Sequence, residues 1–283
     1  MVEITEVAIV GAGVMGSGIA QIAARAGYRT RLFDAAPGAA DRGVARTLES
    51  LARAAEKGRA TVEECAAAKK NLTAATSLET AVRGAHLIIE AAPESLALKR
   101  ELFAKLSDHA APETILATNT SSLSITEIAS AAKNPERVIG LHFFNPPPVM
   151  KLLEIVVGER TALLVVATAR AIGARLGKDC IVVRDVAGFA TSRLGVAIAI
   201  EAMRMFEEGV ASAEEIDRAM ELGYNHPMGP LKLTDHVGLD VRLAIAEHLC
   251  GELGERFRPP QVLRRLVRAG KLGKKAGEGF YKY

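Results

Sequence analysis

Apolar positions in the first half of the chain fall into short β-rich runs separated by longer stretches with helical spacing. Residues 7–10 form a short apolar run followed at once by glycines. Residues 14–26 then predict a helix, ended by Gly27 at its C-terminal cap. Residues 30–33 predict the next strand, which stops at Asp34. An Ala/Arg/Glu-rich stretch over 38–57 predicts an extended helix, longer than a simple crossover requires. Further strands are predicted at 87–90, 114–117 and 138–144. Between the first two of these, Leu98, Leu102 and Leu106 recur at i, i+4 and i+8, and Ser95 is placed to cap that helix. Strands alternating with helices are the signature of a parallel α/β sheet.

Beyond a last strand-like run at 181–183 the pattern changes. Four helical segments are predicted, near 189–208, 213–222, 231–253 and 260–269, and in the first of them Phe189, Val196, Ile200 and Met203 share one face. The expected organisation is therefore α/β, with a parallel-sheet domain over residues 1–184 followed by an all-α domain over 185–283. No repeat and no low-complexity linker separates the two.

Length allows two domains or one large one, since 283 residues compare with ~100–200 per domain. Charge narrows the partners. A formal net charge of +3, basic pairs scattered at Lys69-Lys70, Arg264-Arg265 and Lys274-Lys275, and only 4% aromatic residues give neither a basic stripe nor a stacking platform. Nucleic acid is not an expected partner. Cys65, Cys180 and Cys250 lie far apart and form no CxxC pair, which fits buried thiols in a reducing compartment. No apolar run approaches the ~18 residues of a spanning helix, so no membrane is expected. The N-terminus runs into a strand pattern without a charged leader, and the protein is expected in the cytoplasm.

Candidate chemistry begins at Gly11-Ala12-Gly13-Val14-Met15-Gly16, a GxGxxG between a predicted strand and a predicted helix. The first glycine permits the tight turn, the second lets backbone approach a diphosphate, and the third allows close helix packing. The diphosphate then sits at the positive end of the helix. Asp34, at the end of the next strand, is where a carboxylate hydrogen-bonds an adenosine ribose 2′-OH and repels a 2′-phosphate. Together they predict a Rossmann-type domain that binds NAD rather than NADP, with Arg29 and Arg31 near enough to blur that preference.

Three polar clusters fall at predicted C-terminal strand ends, the edge along which parallel sheets bind ligands: Glu94 with Lys99, Asn119-Thr120-Ser121-Ser122, and His142 with Asn145. Taken singly, each has a plainer use; Ser121 and Ser122 can cap a short helix at 124–129. His142 stands in an apolar string where a histidine is commonly a hydrogen-bonded core residue. Glu154, on a second β-like run beyond Pro146-Pro147-Pro148, can fold back towards it. A carboxylate there orients one tautomer and raises imidazole basicity, as a general base requires. The remaining histidines form no HxxxH or HExxH pattern, so no metal site is expected.

These residues carry a family resemblance. The string Leu141-His142-Phe143-Phe144-Asn145-Pro146, followed by Pro148-Val149-Met150 and Glu154, and the C-terminal Gly277-Glu278-Gly279-Phe280-Tyr281 resemble the short-chain (S)-3-hydroxyacyl-CoA dehydrogenases, in particular the bacterial enzymes of 3-hydroxybutyryl-CoA. Matching blocks at 7–34, 119–123, 140–154, 185–194, 223–238 and 273–283 span nearly the whole chain. The resemblance implies an oxidoreductase that uses NAD to interconvert a 3-hydroxyacyl-CoA thioester and its 3-oxo form. It implies His142 as the catalytic base, Glu154 as its orienting partner, and Ser121 as a hydrogen-bond partner of the substrate oxygen near the nicotinamide. Gly11 to Gly16, Asp34, Glu94, Lys99, Asn119, Ser121, Asn145 and Lys275 match cofactor contacts. Ser50 and Lys57, on the long predicted helix, match positions that hold CoA, although solvated helix faces also carry such residues. A homodimer through the helical domain, whose apolar stretch 194–200 would otherwise be internal packing, and a cleft closing over substrate are implied as well.

One position departs from the pattern. The family reads Asp-x-Pro-Gly-Phe-x-x-Asn-Arg where this chain has Asp185-Val186-Ala187-Gly188-Phe189-Ala190-Thr191-Ser192-Arg193, so Ser192 replaces an active-site Asn. Serine reaches less far and lacks the paired donor and acceptor of an amide. The departure bears on efficiency and substrate range, and it sustains a rival reading: a dehydrogenase fold that holds NAD without turnover.

Overall fold

The computed structural model describes residues 3–58 and 60–283. The chain divides into two compact units, the first ending at Asp185 and the second running from Val186 to Tyr283. Asp185 stays with the first unit for a physical reason. Its carboxylate accepts from Ser124 Oγ (2.8 Å) and from the backbone N–H groups of Ile125 (3.0 Å) and Thr126 (2.7 Å), closing a helix start in that unit.

The first unit begins β1 (Glu6–Val10), α1 (Val14–Arg25), β2 (Arg29–Phe33) and α2 (Ala39–Glu56), then α3 (Val62–Asn71), β3 (Leu72–Ala74) and α4 (Leu78–Val82). It continues through β4 (Leu87–Glu90), α5 (Leu96–His109), β5 (Ile115–Thr118), α6 (Ile125–Ala129), β6 (Val138–Phe143), β7 (Leu152–Val157), α7 (Leu163–Arg175) and β8 (Asp179–Arg184). The strands form one eight-stranded sheet in the order β3-β2-β1-β4-β5-β6-β7-β8. Every neighbouring pair is parallel except β6 with β7. Strand order reverses at β1/β4, so loops leaving their C-terminal ends diverge and open a crevice there. The central parallel strands are buried on both faces, as Leu87, Ile88 and Ile89 in β4 illustrate, because helices cover both sides.

The turn after β1 explains its glycines. Gly11 adopts φ +109°, and a Cβ on Gly16 would stand 1.7 Å from the Gly11 carbonyl oxygen. Only glycine at both positions lets α1 start this close to the sheet.

Several elements escape the sequence pattern. α3 announces itself only through a capping box, Thr61 with Glu64, and α7 carries apolar residues on its exposed side (Leu163, Leu164), which blurs its period. The stripe Leu98, Leu102, Leu106 lies on the helix that its spacing predicts. Leu106 is buried, but α5 packs through Lys99, Phe103 and Leu106, leaving Leu98 exposed and Leu102 half-buried.

The second unit contains α8 (Thr191–Glu207), α9 (Ala213–Tyr224), α10 (Pro230–Val237), α11 (Leu239–Leu253) and α12 (Gln261–Arg268). Val196, Ile200 and Met203 are buried on one face of α8, as their spacing requires, whereas Phe189, expected in the same helix, is buried ahead of its start with φ +49°. The single helix expected over 231–253 is two, because Gly238 at φ +103° ends α10 and restarts the chain as α11. Two buried aspartates then tie the C-terminal tail to these helices. Asp217 accepts from the N–H groups of Leu231 and Lys232 (both 2.8 Å) and from Tyr281 Oη (2.7 Å). Asp235 accepts from the N–H groups of Phe280 and Tyr281 (both 2.9 Å) and from Tyr283 Oη (3.2 Å).

Candidate active site

The glycine turn and Asp34 meet at the crevice. Asp34 Oδ2 accepts from the Ala12 N–H (2.7 Å) and Oδ1 from the Ala36 N–H (2.9 Å), so the carboxylate is fixed beside the loop with lone pairs left for further donors. Arg46, which the sequence does not single out, reaches from α2 to the Ala12 carbonyl (2.9 Å). α1 starts at Gly13 with no side-chain cap and no acidic residue in its first turn. A Cβ on Gly13 would meet nothing within 4 Å, so open space faces this positive helix end. That is the environment a diphosphate needs. A cavity of about 650 Å³ runs from Gly11, Gly13 and Asp34 to Leu98 and Leu102 of α5. The two leucines thus wall this cavity; their i, i+4 spacing is legible in the sequence, but periodicity does not say what an apolar face meets. These residues fit an NAD molecule: Asp34 for the ribose, the loop and the α1 start for the diphosphate. Arg29 and Arg31 are drawn to Glu6 at the opposite end of the strands, Arg31 at 3.8 Å, away from Asp34.

The next strand end carries a buried charge network. Lys99 and Glu90 both have no exposed surface, and Lys99 Nζ donates to Glu90 Oε1 at 2.7 Å. Glu90 also accepts from the Ala92 N–H (2.6 Å) and Thr118 Oγ1 (2.6 Å). The Lys99 ammonium, expected among the cofactor contacts, is thereby enclosed; it donates on to the Ala92 carbonyl (3.3 Å) and lies 3.7 Å from Glu94. Its side chain supports the loop from beneath. Glu94 is the outward member. Its Oε1 accepts from Thr120 Oγ1 (2.6 Å), the Ser121 N–H (2.9 Å), Ser121 Oγ (3.2 Å) and Ser122 Oγ (3.4 Å). One carboxylate so locks the turn after β5 to the turn after β4. Asn119 accepts from the Phe143 N–H (2.9 Å), linking β5 to the end of β6.

His142 and Glu154 are brought together by strand register. In the single antiparallel pairing, His142 lies directly opposite Glu154, so both side chains leave the same face. Nδ1 and Oε2 are 2.6 Å apart, with the carboxylate fully buried and the ring nearly so. A carboxylate acceptor at Nδ1 requires the proton there, which leaves Nε2 as the basic nitrogen. Phe144 tilts against the ring, centroids 4.4 Å apart, and Asn145 follows it.

Other expected site residues stand elsewhere. Ser50 and Lys57 lie exposed on and just after α2, two turns apart on one side of it. Ser192 is the second residue of α8 and half-buried; Lys275 is exposed and paired with Asp240 at 2.6 Å, both residues in the second unit. Among the described residues no cluster of His, Cys, Asp and Glu could hold a metal, and no helix is long and apolar enough to cross a membrane.

A glycine turn at a topological switch point, an acidic ribose position and a buried His–carboxylate pair on the same sheet define a nicotinamide-dependent dehydrogenase. Residues 6–186 match the family model described as 3-hydroxyacyl-CoA dehydrogenase, NAD binding domain, and residues 188–283 match its C-terminal domain. A probable 3-hydroxybutyryl-CoA dehydrogenase of Bacillus subtilis is 48% identical over 286 residues, covering 99% of this chain and 98% of its own. The 3-hydroxyadipyl-CoA dehydrogenase of Escherichia coli is 42% identical over 99% of this chain and 59% of that one. The crystal structure of (S)-3-hydroxybutyryl-CoA dehydrogenase from Ralstonia eutropha matches with a TM-score of 0.95 and 40% identity, over 99% of both chains. The chain belongs to the 3-hydroxyacyl-CoA dehydrogenase family and is an NAD-dependent oxidoreductase.

Proposed function

We propose that the protein interconverts a short-chain (S)-3-hydroxyacyl-CoA, 3-hydroxybutyryl-CoA in the first instance, and the corresponding 3-oxoacyl-CoA, with His142 moving the proton. The buried 2.6 Å contact between His142 Nδ1 and Glu154 Oε2 carries this reading. In oxidation, Nε2 takes the proton of the 3-hydroxyl group, and the Glu154 carboxylate balances the imidazolium that forms. In reduction the same imidazolium returns the proton to the carbonyl oxygen. NAD, when bound, supplies the hydride acceptor or donor. Asp34, Gly11 to Gly16, Glu94, Asn119 and Asn145 hold the cofactor. Ser121, fixed by Glu94, hydrogen-bonds the substrate oxygen, and Lys57 with Ser50 meets the charged CoA portion.

Ser192 fills the position of the family's active-site Asn. Losing one positioned hydrogen bond there would cost on the order of 10²-fold in rate, which is what keeps an NAD-holding protein without turnover as the second reading. Leu194 and Ile198, both exposed on α8, support a homodimer through the second unit. Three free, dispersed thiols support a cytoplasmic location.

NADH oxidation with acetoacetyl-CoA, beside NADPH and beside free acetoacetate, tests the function. Turnover is expected with NADH and the thioester. His142→Gln should bind NADH normally and lose about 10²–10⁴-fold in rate. Wild-type rates in His142→Gln would refute the proton-transfer role. No turnover in the unaltered protein with NADH bound would favour the second reading, with Ser192→Asn as the variant to restore activity.

A further inference from the structure

Pro146-Pro147-Pro148 lie in the loop that joins β6 to β7, between His142 and Glu154. Successive prolines carry no N–H, so this stretch donates no hydrogen bond from its own backbone. The next donors, at Val149 and Met150, both turn back to the Pro146 carbonyl (3.0 Å each). The carbonyls of Pro147 and Met150 need a donor from outside the loop.

Lys178 supplies it. The side chain comes from the turn between α7 and β8, and its Nζ donates to the carbonyls of Pro147 (2.5 Å) and Met150 (2.7 Å). Register brings it there: Asp179, the first residue of β8, pairs with Leu152 of β7, so Lys178 stands beside the end of the loop. The residue is 9% exposed, and both of these partners are neutral main-chain groups. Burial, and then the Arg25 guanidinium, pulls the ammonium below its usual range. An enclosed cation held by neutral groups carries a desolvation cost that an apolar side chain would not. The gain that offsets it lies in what two charge-assisted bonds keep in place.

They keep the segment next to the dyad. Pro147 is buried and set against α1, where a Cβ on Gly18 would stand 2.8 Å from its Cδ. Phe144 and Asn145 are thus held between the end of β6 and a fixed anchor. Phe144 tilts against the His142 ring, and Asn145 is among the proposed cofactor contacts. All of these residues belong to the first unit.

We propose that Lys178 is a positioning residue for hydride and proton transfer: by drawing the Pro147 and Met150 carbonyls onto its ammonium it fixes the β6–β7 loop, and with it Phe144 against the imidazole and Asn145 at the cofactor. The inference deepens the dehydrogenase reading and rests on it.

Reduction of acetoacetyl-CoA by NADH, with kcat expressed per NADH-binding site, tests it. Counting sites by NADH titration removes any loss due to unfolded protein, which is all that a merely structural lysine would cause. Lys178→Met should lose about 10–10²-fold in kcat, the penalty for displacing reacting groups by about 1 Å. Its NADH affinity should change little, because Asp34 and the glycine turn are untouched. Lys178→Arg keeps the charge and the donors, and a cavity of about 420 Å³ lined by Lys178, Arg25, Lys151 and Arg175 has room for the larger group, so most of kcat should remain. A wild-type kcat per site in Lys178→Met, a change confined to KM, or equal losses in the two variants would overturn the proposal and leave the dehydrogenase reading intact. No turnover in the unaltered protein would remove both. Should Lys178→Met fail to fold, Lys178→Gln, with a shorter and neutral donor, decides by the same measure.

Discussion

Lys99 shows how a single residue can support a site it does not line. Its ammonium and the Glu90 carboxylate are both enclosed, at 2.7 Å, and the pair anchors the turn that presents Glu94 to Ser121. Removing one partner strands the other charge in a low-dielectric interior. Lys99→Met should therefore destabilise the protein by about 3–5 kcal/mol, whereas Lys99→Met with Glu90→Gln should recover much of that loss. Chemical denaturation of the two variants checks this; equal stabilities would mean that Glu90 is not left unpaired. The sequence put Lys99 after a strand end, among expected cofactor contacts. Its enclosure was not legible, because burial of a lysine depends on a carboxylate nine residues away in another element.

At the scale of elements, the antiparallel β6–β7 pairing makes the His142–Glu154 dyad. A shift of one residue in its register would turn Glu154 to the opposite face of the sheet. A second element-level device is the C-terminal tail, whose Tyr281 and Tyr283 hydroxyls donate to Asp217 and Asp235. Burial first, and then the nearby aspartate, pushes Tyr283 up to about 12 and Tyr281 higher still. Each phenol is favoured in its neutral form by the fold. Its contribution to stability is complete below the ordinary phenol value of 10.0 and is lost as pH rises through the raised one, near 12 for Tyr283. A phenolate absorbance titration run beside helical circular dichroism should show a late-ionising component that coincides with loss of helix, and Tyr283→Phe should remove part of it. Ionisation of both residues near pH 10.0 with helix intact would contradict the latch.

For the whole molecule, each unit has its own core, one around the sheet and others among α8 to α12. A ligand that binds only the folded protein adds stability in proportion to its affinity. NADH at a hundredfold excess over its dissociation constant should add about 2.7 kcal/mol, raising the melting temperature by several degrees. NADPH at the same concentration should add far less, because its 2′-phosphate would face the fixed Asp34 carboxylate. A melting curve shifted equally by both cofactors would show that Asp34 does not discriminate.

What the sequence determined by itself was local chemistry and periodicity. Gly11, Gly13 and Gly16 require a strand, a tight turn and a helix start, Asp34 follows at the next strand end, and a carboxylate lies within a strand's reach of His142. The change from alternating elements to helices alone set the two-part organisation. Tertiary structure decided everything that depends on distant partners. It set Leu98 and Leu102 of the helical stripe in a cavity wall, enclosed Lys99, and broke the helix over 231–253 at Gly238. It also buried Arg242 Nε on α11 without a hydrogen-bond partner. Helical and strand periods state which face of an element is apolar; only packing against elements remote in sequence states what that face meets.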